Sequence, residues 1–375
     1  MKIAIDCRSV FPGRGGIGRY AESLARGLAQ VDTSNEYLLL VTERQSQPIA
    51  ANGQVQQVAF QATMIDEVWE QLHLPSILAE YDVDLYHNPC FSLPVVKTTR
   101  WRIATVHDVV FRTYPQLVDA RLRSYLDRWS EHALEVGDAI ITSSEFSKSE
   151  IVKHFGTPPE KIHVIYHGVD PSFRRRVPGK AEGVLRTKYG LSKPFVLYVG
   201  SLEAKKNIDR LLEALALLVS DGRAGERVLA LVGGRGGNDY DVEAAIQRAG
   251  VKERVVVTGY VTDEDVVILM NLADLFVYPS LYEGFGLPPL EAMACGTPTV
   301  VSQATSLPEV VGDGALVAPA EDVEALATQM ARLLNDPELR RTMSERGRKR
   351  AETFTWERAA RGTLELYESL DGAGR

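Results

Sequence analysis

Short apolar runs alternate with helical stretches from one end of the chain to the other. In the first half the runs are KIAID (2–6), YLLLV (37–41), VQQVAF (55–60), VDLYHN (83–88), RIATVHD (102–108), AIITSS (139–144) and IHVIYH (162–167). In the second half they are FVLYVG (195–200), VLALVG (228–233), VVVTGY (255–260), LFVYPS (275–280), PTVVS (298–302) and ALVAP (315–319). Several are rich in Val, Ile and Leu without polar alternation, as strands covered on both faces must be. Strand–helix alternation of this kind predicts an α/β fold built on doubly wound parallel sheets.

The alternation breaks once, over 168–193, where glycine and proline turns and a basic cluster stand without a strand. This stretch reads as a linker (171–193) between an N-terminal domain (1–170) and a C-terminal domain (194–353). A chain of 375 residues is long for one hydrophobic core, which agrees with two. Two doubly wound domains make the cleft between them the default ligand site. The last stretch, FTWERAARGTLELYESL, reads as an amphipathic helix over 354–371.

Composition narrows the classes. Hydrophobic content of 45% and charged content of 25% are those of a soluble globular protein. A net charge of −8 gives no global basic field, so nucleic acid is not expected as a partner. Residues 97–128 are a local exception, where Lys97, Arg100, Arg102, Arg112, Arg121, Arg123 and Arg128 outnumber Asp108, Asp119 and Asp127. The strip is either a solvated face or a patch for peripheral contact with anionic lipid or a phosphorylated acceptor. Cys7, Cys90 and Cys295 form neither a disulfide framework nor a zinc signature, which fits a reducing cytoplasm. The opening MKIAIDCRSV reads as a strand rather than a leader, and no apolar run reaches the roughly 18 residues that span a bilayer. The expected location is cytoplasmic.

In open parallel sheets, chemistry sits in the loops that follow the strands. After LFVYPS comes LYEGFGLPPLEAMACG, with Glu283 and Glu291 eight positions apart. Gly284 and Gly286 allow a sharp turn and a close backbone approach. Pro288 and Pro289 suit the start of a helix. The amides near Phe285, Gly286 and Leu287 then mark an anion site at a helix N-terminus, and a diphosphate is its natural occupant. Carboxylates repel phosphate but accept hydrogen bonds from hydroxyls on either side of it. A nucleoside diphosphate sugar satisfies both demands, with Glu291 on the ribose and Glu283 on the sugar. The bland alternative is that Glu291 complements the helix dipole in the first turn and Glu283 is solvated.

Other loops add to this. After FVLYVG, Lys205 and Lys206 precede a helix, where a lysine reaches phosphate as a point charge. Main-chain groups of Tyr260 and Val261 are placed to meet a nucleobase edge. His107 ends a strand, with Asp108 either orienting it or capping the next turn. Residues Gly13–Gly18, GRGGIG, match G-x-G-x-x-G literally and support a rival reading as an NAD(P)-dependent oxidoreductase. CRSVFP intervenes between strand and glycines, however, whereas a dinucleotide fingerprint starts as the strand ends. No metal-ligand constellation is visible, so lysines, amides and a helix dipole must supply positive charge.

YEGFGLPPLEAMACGTPTVVS, YVGSLEAKKN, TGYVTDED, ADLFVYPS, SLPEVVGD and GGIGRYAESLARGL together resemble the retaining GT-B glycosyltransferases of family 4, glycosyl transferases group 1. The likeness spans most of the chain, is densest over 195–320, and lies nearest mannosyl- and related transferases of bacterial polysaccharide assembly. It implies two Rossmann-like domains, the C-terminal one binding the nucleotide sugar, with 354–371 packing back on the N-terminal acceptor domain. It also implies no cofactor and no metal, and transfer with retention to a glycan or lipid-linked acceptor hydroxyl; the subgroup points to GDP-mannose. Carried over residue by residue, Glu283 and Glu291 match the two acids of the E-x7-E motif. Lys206 and Lys205 match the cationic pair near the diphosphate, Gly16 the phosphate-side glycine loop, and His107 the histidine at the donor sugar. Ser201 stands where many members carry Arg. That shifts phosphate charge to Lys205 or Arg14 and leaves open a catalytically silent sugar-nucleotide-binding protein.

Overall fold

The computed structural model describes all residues of the chain except 12–14, 46, 51, 62–65, 177–178, 180, 237–239 and 374–375. The chain divides into two units. One comprises Met1–Pro115, Ala120–Gly168 and Thr355–Arg375; the other comprises Gln116–Asp119 and Val169–Phe354.

The first unit holds β1 (Lys2–Asp6), β2 (Glu36–Thr42), β3 (Val55–Phe60), β4 (Leu85–Asn88), β5 (Trp101–Thr105), β6 (Ala139–Thr142) and β7 (Ile162–Val164). They form one parallel sheet in the order β3-β2-β1-β4-β5-β6-β7. Winding therefore reverses between β1 and β4. Ile3, Ile5, Leu39, Val41, Leu85, Ile103 and Ile141 are buried in its core, which explains the unbroken apolar runs. The helix Gly16–Val31 buries Gly18, Ala21, Leu24, Ala25 and Leu28, one stripe at helical spacing. It meets the helix Trp356–Ala373 so closely that a Cβ on Gly27 would stand 3.0 Å from the Ala360 Cβ.

The second unit holds β8 (Phe195–Val199), β9 (Val228–Val232), β10 (Val255–Gly259), β11 (Leu275–Tyr278), β12 (Thr299–Ser302) and β13 (Leu316–Ala318). This sheet is also parallel, in the order β10-β9-β8-β11-β12-β13, with its reversal between β8 and β11. The stretch expected as a linker is part of this unit. It carries the helix Ala181–Lys188 and delivers Phe173 and Leu191 to the core. Few apolar residues, widely spaced among charges, hid that contribution in the sequence.

Candidate functional site

The loops after β8 and β11 flank the reversal in the second sheet, and they bring Lys206 and Glu283 together. Lys206 Nζ donates to Glu283 Oε1 at 2.6 Å and to the Tyr278 hydroxyl at 3.0 Å. The side chains are only 9% and 12% exposed, so this is a buried ion pair. Burial pushes the Glu283 carboxyl up, but Lys206, then Lys205, pull it down to a net value below the usual carboxylate range. Burial likewise lowers Lys206, and Glu283, with Tyr198 and Glu203, more than reverses this, holding the ammonium above its ordinary value. Both groups are charged at neutral pH.

The two loops are tied together by their backbones. The Lys205 carbonyl accepts from the Leu281 amide at 2.9 Å and from Ser280 Oγ at 3.2 Å. Asn207 adopts a left-handed conformation, φ 60°, and its amide reaches the carbonyls of Pro279 and Ala320. Thr305 Oγ1 accepts from the Glu283 amide, and Ser306 Oγ donates to the carbonyls of Glu283 and Phe285. Each side chain satisfies turn backbone that would otherwise be buried and unpaired.

The turn ends in the helix Leu287–Ala294, with Gly286 as its N-cap at φ 106°. No side chain caps this first turn, and Pro288 and Pro289 lack amides there. Glu291 is 3% exposed and lies beyond the first turn, which removes the bland reading that it merely complements the dipole. Phe285 is buried edge-on against Phe354. Lys205 is 22% exposed and stands 4.0 Å from Glu203, whose carboxylate also accepts from Ser201 Oγ at 2.8 Å. Ser201 is thus bound to an acid within its own loop. Tyr260 projects outward, 70% exposed, and Val261 is buried.

The remaining expected residues belong to the first unit. Gly16 is exposed at the start of a 16-residue helix whose N-cap, Gly15, makes no side-chain bond. β1 ends at Asp6, well before this helix, so the helix at Gly16 does not follow directly on the strand as in a dinucleotide fingerprint. Gly13 and Arg14 lie outside the described residues. His107 is half-buried. Its Nε2 lies 2.9 Å from the Pro89 carbonyl, and burial holds its pKa below the ordinary value. A carbonyl only accepts, so Nε2 carries the proton in the neutral ring and Nδ1 is the acceptor. Asp108 does not hold the ring; its Oδ1 caps the Val110 amide. The sequence reading missed His167, just past β7, whose ring lies 5.6 Å from that of His107 and 4.7 Å from Tyr20. Its place after a strand was the signal.

The profile described as "Glycosyltransferase Family 4" matches residues 14–173, and "Glycosyl transferases group 1" matches 185–350. O-antigen chain mannosyltransferase B of Escherichia coli is 34% identical over 370 residues, covering 95% of this chain and 96% of that protein. The chain belongs to the family 4 glycosyltransferases. A second relative of this glycosyltransferase is the MMP alpha-(1->4)-mannosyltransferase of Mycolicibacterium hassiacum, 32% identical over 76% of this chain and 71% of that one. Sucrose-phosphate synthase from Thermosynechococcus elongatus shares the fold with a TM-score of 0.78 at 24% identity, each chain covered in full. WaaG, a glycosyltransferase involved in lipopolysaccharide biosynthesis, shares it at 0.73 and 21%, covering 96% of this chain and 98% of that one. The architecture is GT-B, and the enzyme is a hexosyltransferase.

Proposed function

We propose that this glycosyltransferase moves mannose from GDP-mannose to a hydroxyl of a glycan or lipid-linked acceptor, with retention and without a metal. One observation carries the reading: the buried Lys206–Glu283 pair beside the uncapped N-terminus of Leu287–Ala294. Likeness to proteins named mannosyltransferases supports the choice of sugar.

In this mechanism the helix amides, Lys206 and Lys205 stabilise the departing diphosphate, a service of about 3–4 kcal/mol per donor. Glu291 accepts from the ribose hydroxyls and Glu283 from the sugar. Phe285, Gly286 and Leu287 contribute backbone to the diphosphate, and Tyr260 and Val261 contribute backbone to the base. The acceptor oxygen bonds to the anomeric carbon as the carbon–phosphate-oxygen bond breaks on the same face. The acceptor's proton passes to the departing phosphate oxygen. Gly16 serves the phosphate side and His107 Nδ1 accepts from a sugar hydroxyl.

The test is thermal stabilisation by GDP, UDP, ADP and NAD, with Glu291→Ala alongside. A nucleotide at 100 times its dissociation constant adds about 2.7 kcal/mol. Stabilisation by GDP alone, weakened in the variant, is expected; stabilisation by NAD alone would replace the reading with an oxidoreductase. Product anomeric configuration by NMR, with and without EDTA, tests retention and metal independence.

The basic strip is a further proposal. Lys97 is paired with Asp138, Arg100 with Asp371 and Arg112 with Asp127, while Arg102 donates to the carbonyls of Pro94 and Val136. Arg121, Arg123 and Arg128 are exposed on the helix Ala120–Val136, beside Leu122 at 50%. This narrower face is proposed to meet anionic lipid, and co-sedimentation with phosphatidylglycerol vesicles tests it. No helix among the described residues is long and apolar enough to cross a membrane.

A further inference from the structure

A second buried acid–cation cluster stands in the first unit, at the equivalent topological place. β1 and β4 flank the reversal in that sheet, and the carboxyl ends of such strands are where open parallel sheets hold ligands. Asp6 ends β1 and Asn88 ends β4. Arg8 Nε lies 3.0 Å from both Asp6 oxygens, and its Nη2 lies 2.7 Å from Asp6 Oδ2 and 3.2 Å from Glu70 Oε2. The guanidinium stacks 4.3 Å from the Trp69 ring, and the Tyr86 hydroxyl donates to Asp6 Oδ2 at 2.9 Å. Ser92 Oγ donates to Glu70 Oε2 at 2.9 Å and accepts from the Asn88 amide at 3.0 Å.

Among the described residues, the bonds to Glu70 all end on Oε2. Oε1 is buried and meets no donor among the described residues, although Glu70 is only 3% exposed. A buried acceptor left open is destabilising, so Oε1 is an oxygen to which a donor from outside the cluster would be favourable. Burial pushes Glu70 up, Arg8 pulls it down and Asp6 pushes it up again, to about 7. Two carboxylates sharing one guanidinium leave the cluster short of a hydrogen-bond donor. A carboxylate that accepts, beside a guanidinium, an amide and a hydroxyl that donate, is the chemistry that recognises sugar hydroxyls.

We infer that this cluster is the hydroxyl-recognition subsite for the acceptor sugar, with Glu70 Oε1 taking a hydrogen bond from an acceptor hydroxyl. This rests on the glycosyltransferase reading with a sugar acceptor. Glu70 is a specificity-determining residue here. Asp6, Arg8 and Ser92 are positioning residues that fix its orientation.

The experiment measures mannose transfer from GDP-mannose to methyl α-D-mannopyranoside, and saturation-transfer NMR of the mannoside, for wild type, Glu70→Gln, Glu70→Ala and Ser92→Ala. GDP thermal stabilisation is recorded for each. The KM for the mannoside should rise about tenfold in Glu70→Gln and about a hundredfold in Glu70→Ala, with GDP stabilisation retained. Ser92→Ala, expected to raise KM about threefold, decides the matter if neither Glu70 variant folds. A Glu70→Gln enzyme that melts cooperatively and keeps wild-type KM and NMR signal overturns the inference. So does a wild type that binds GDP but gives no mannoside signal, an outcome that leaves the donor reading standing. A mannoside signal without transfer discards GDP-mannose instead, and loss of that signal in Glu70→Gln then supports the subsite.

Discussion

Lys206 Nζ lies 2.6 Å from Glu283 Oε1, joining residues 77 positions apart in a place nearly closed to water. Removing one partner strands the other's charge. Lys206→Met should cost about 3–5 kcal/mol of stability in urea unfolding, and adding Glu283→Gln should recover most of it. A double variant no more stable than Lys206→Met would show that the pair is not the source of the loss.

The same pair fixes a pH window. The Glu283 carboxyl is held below its ordinary 4.5, so its contribution is present above that pH and is lost as pH falls through the folded value. The Lys206 ammonium is held above 10.5, so its contribution is present below that pH and is lost as pH rises through the folded value. The stability difference between wild type and the double variant should therefore be flat from about 5 to 10 and shrink outside it.

A side chain at Gly286 would be strained. At φ 106°, a Cβ would stand 2.6 Å from Leu307 Cδ2. Gly286→Ala should lose about 1–3 kcal/mol and most of the GDP-induced thermal shift. Unchanged melting and an unchanged shift would remove the strained cap from the account.

His107 should stay neutral where a free histidine charges. Burial lowers its pKa below 6.5, and its Nε2–H is engaged by Pro89. Its ring resonances should show no midpoint near pH 6.5, and the Nε2-protonated tautomer should appear in nitrogen shifts.

Glu70 gives the opposite slope to Glu283. Its folded pKa of about 7 is above the ordinary 4.5, so stability from this group is full below 4.5 and is lost as pH rises through 7. The loss should be roughly 3 kcal/mol, and Glu70→Gln should abolish that part of the pH dependence.

The two parallel α/β sheets were legible in the alternation of apolar runs and helices, and Lys206 and Glu283 each lie in a short loop after an apolar strand. Glycine and proline marked the turn at 284–289 without any partner being known. The Asp6–Arg8–Glu70 cluster was not legible. Its bonds join residues as far apart as Asp6 and Tyr86, 80 positions along the chain, and CRSVFP read only as an interruption before the glycines. The role of Ser201 was also hidden, since its bond to Glu203 depends on a turn geometry that spacing does not encode. Residues 171–193 looked like a linker because Phe173 and Leu191 reach the core singly, without a periodic stripe.

The helix Trp356–Ala373 gives the first unit its final piece. Tyr367 is fully buried there and its hydroxyl lies 2.6 Å from His87 Nδ1. The second unit is contiguous but for 116–119, whereas the first must wait for the last segment of the chain. During synthesis the second unit can therefore mature while the first still lacks the helix that covers Gly27. The order of these segments along the chain thus sets an order of maturation, with the first unit's sheet made before the second unit and sealed after it.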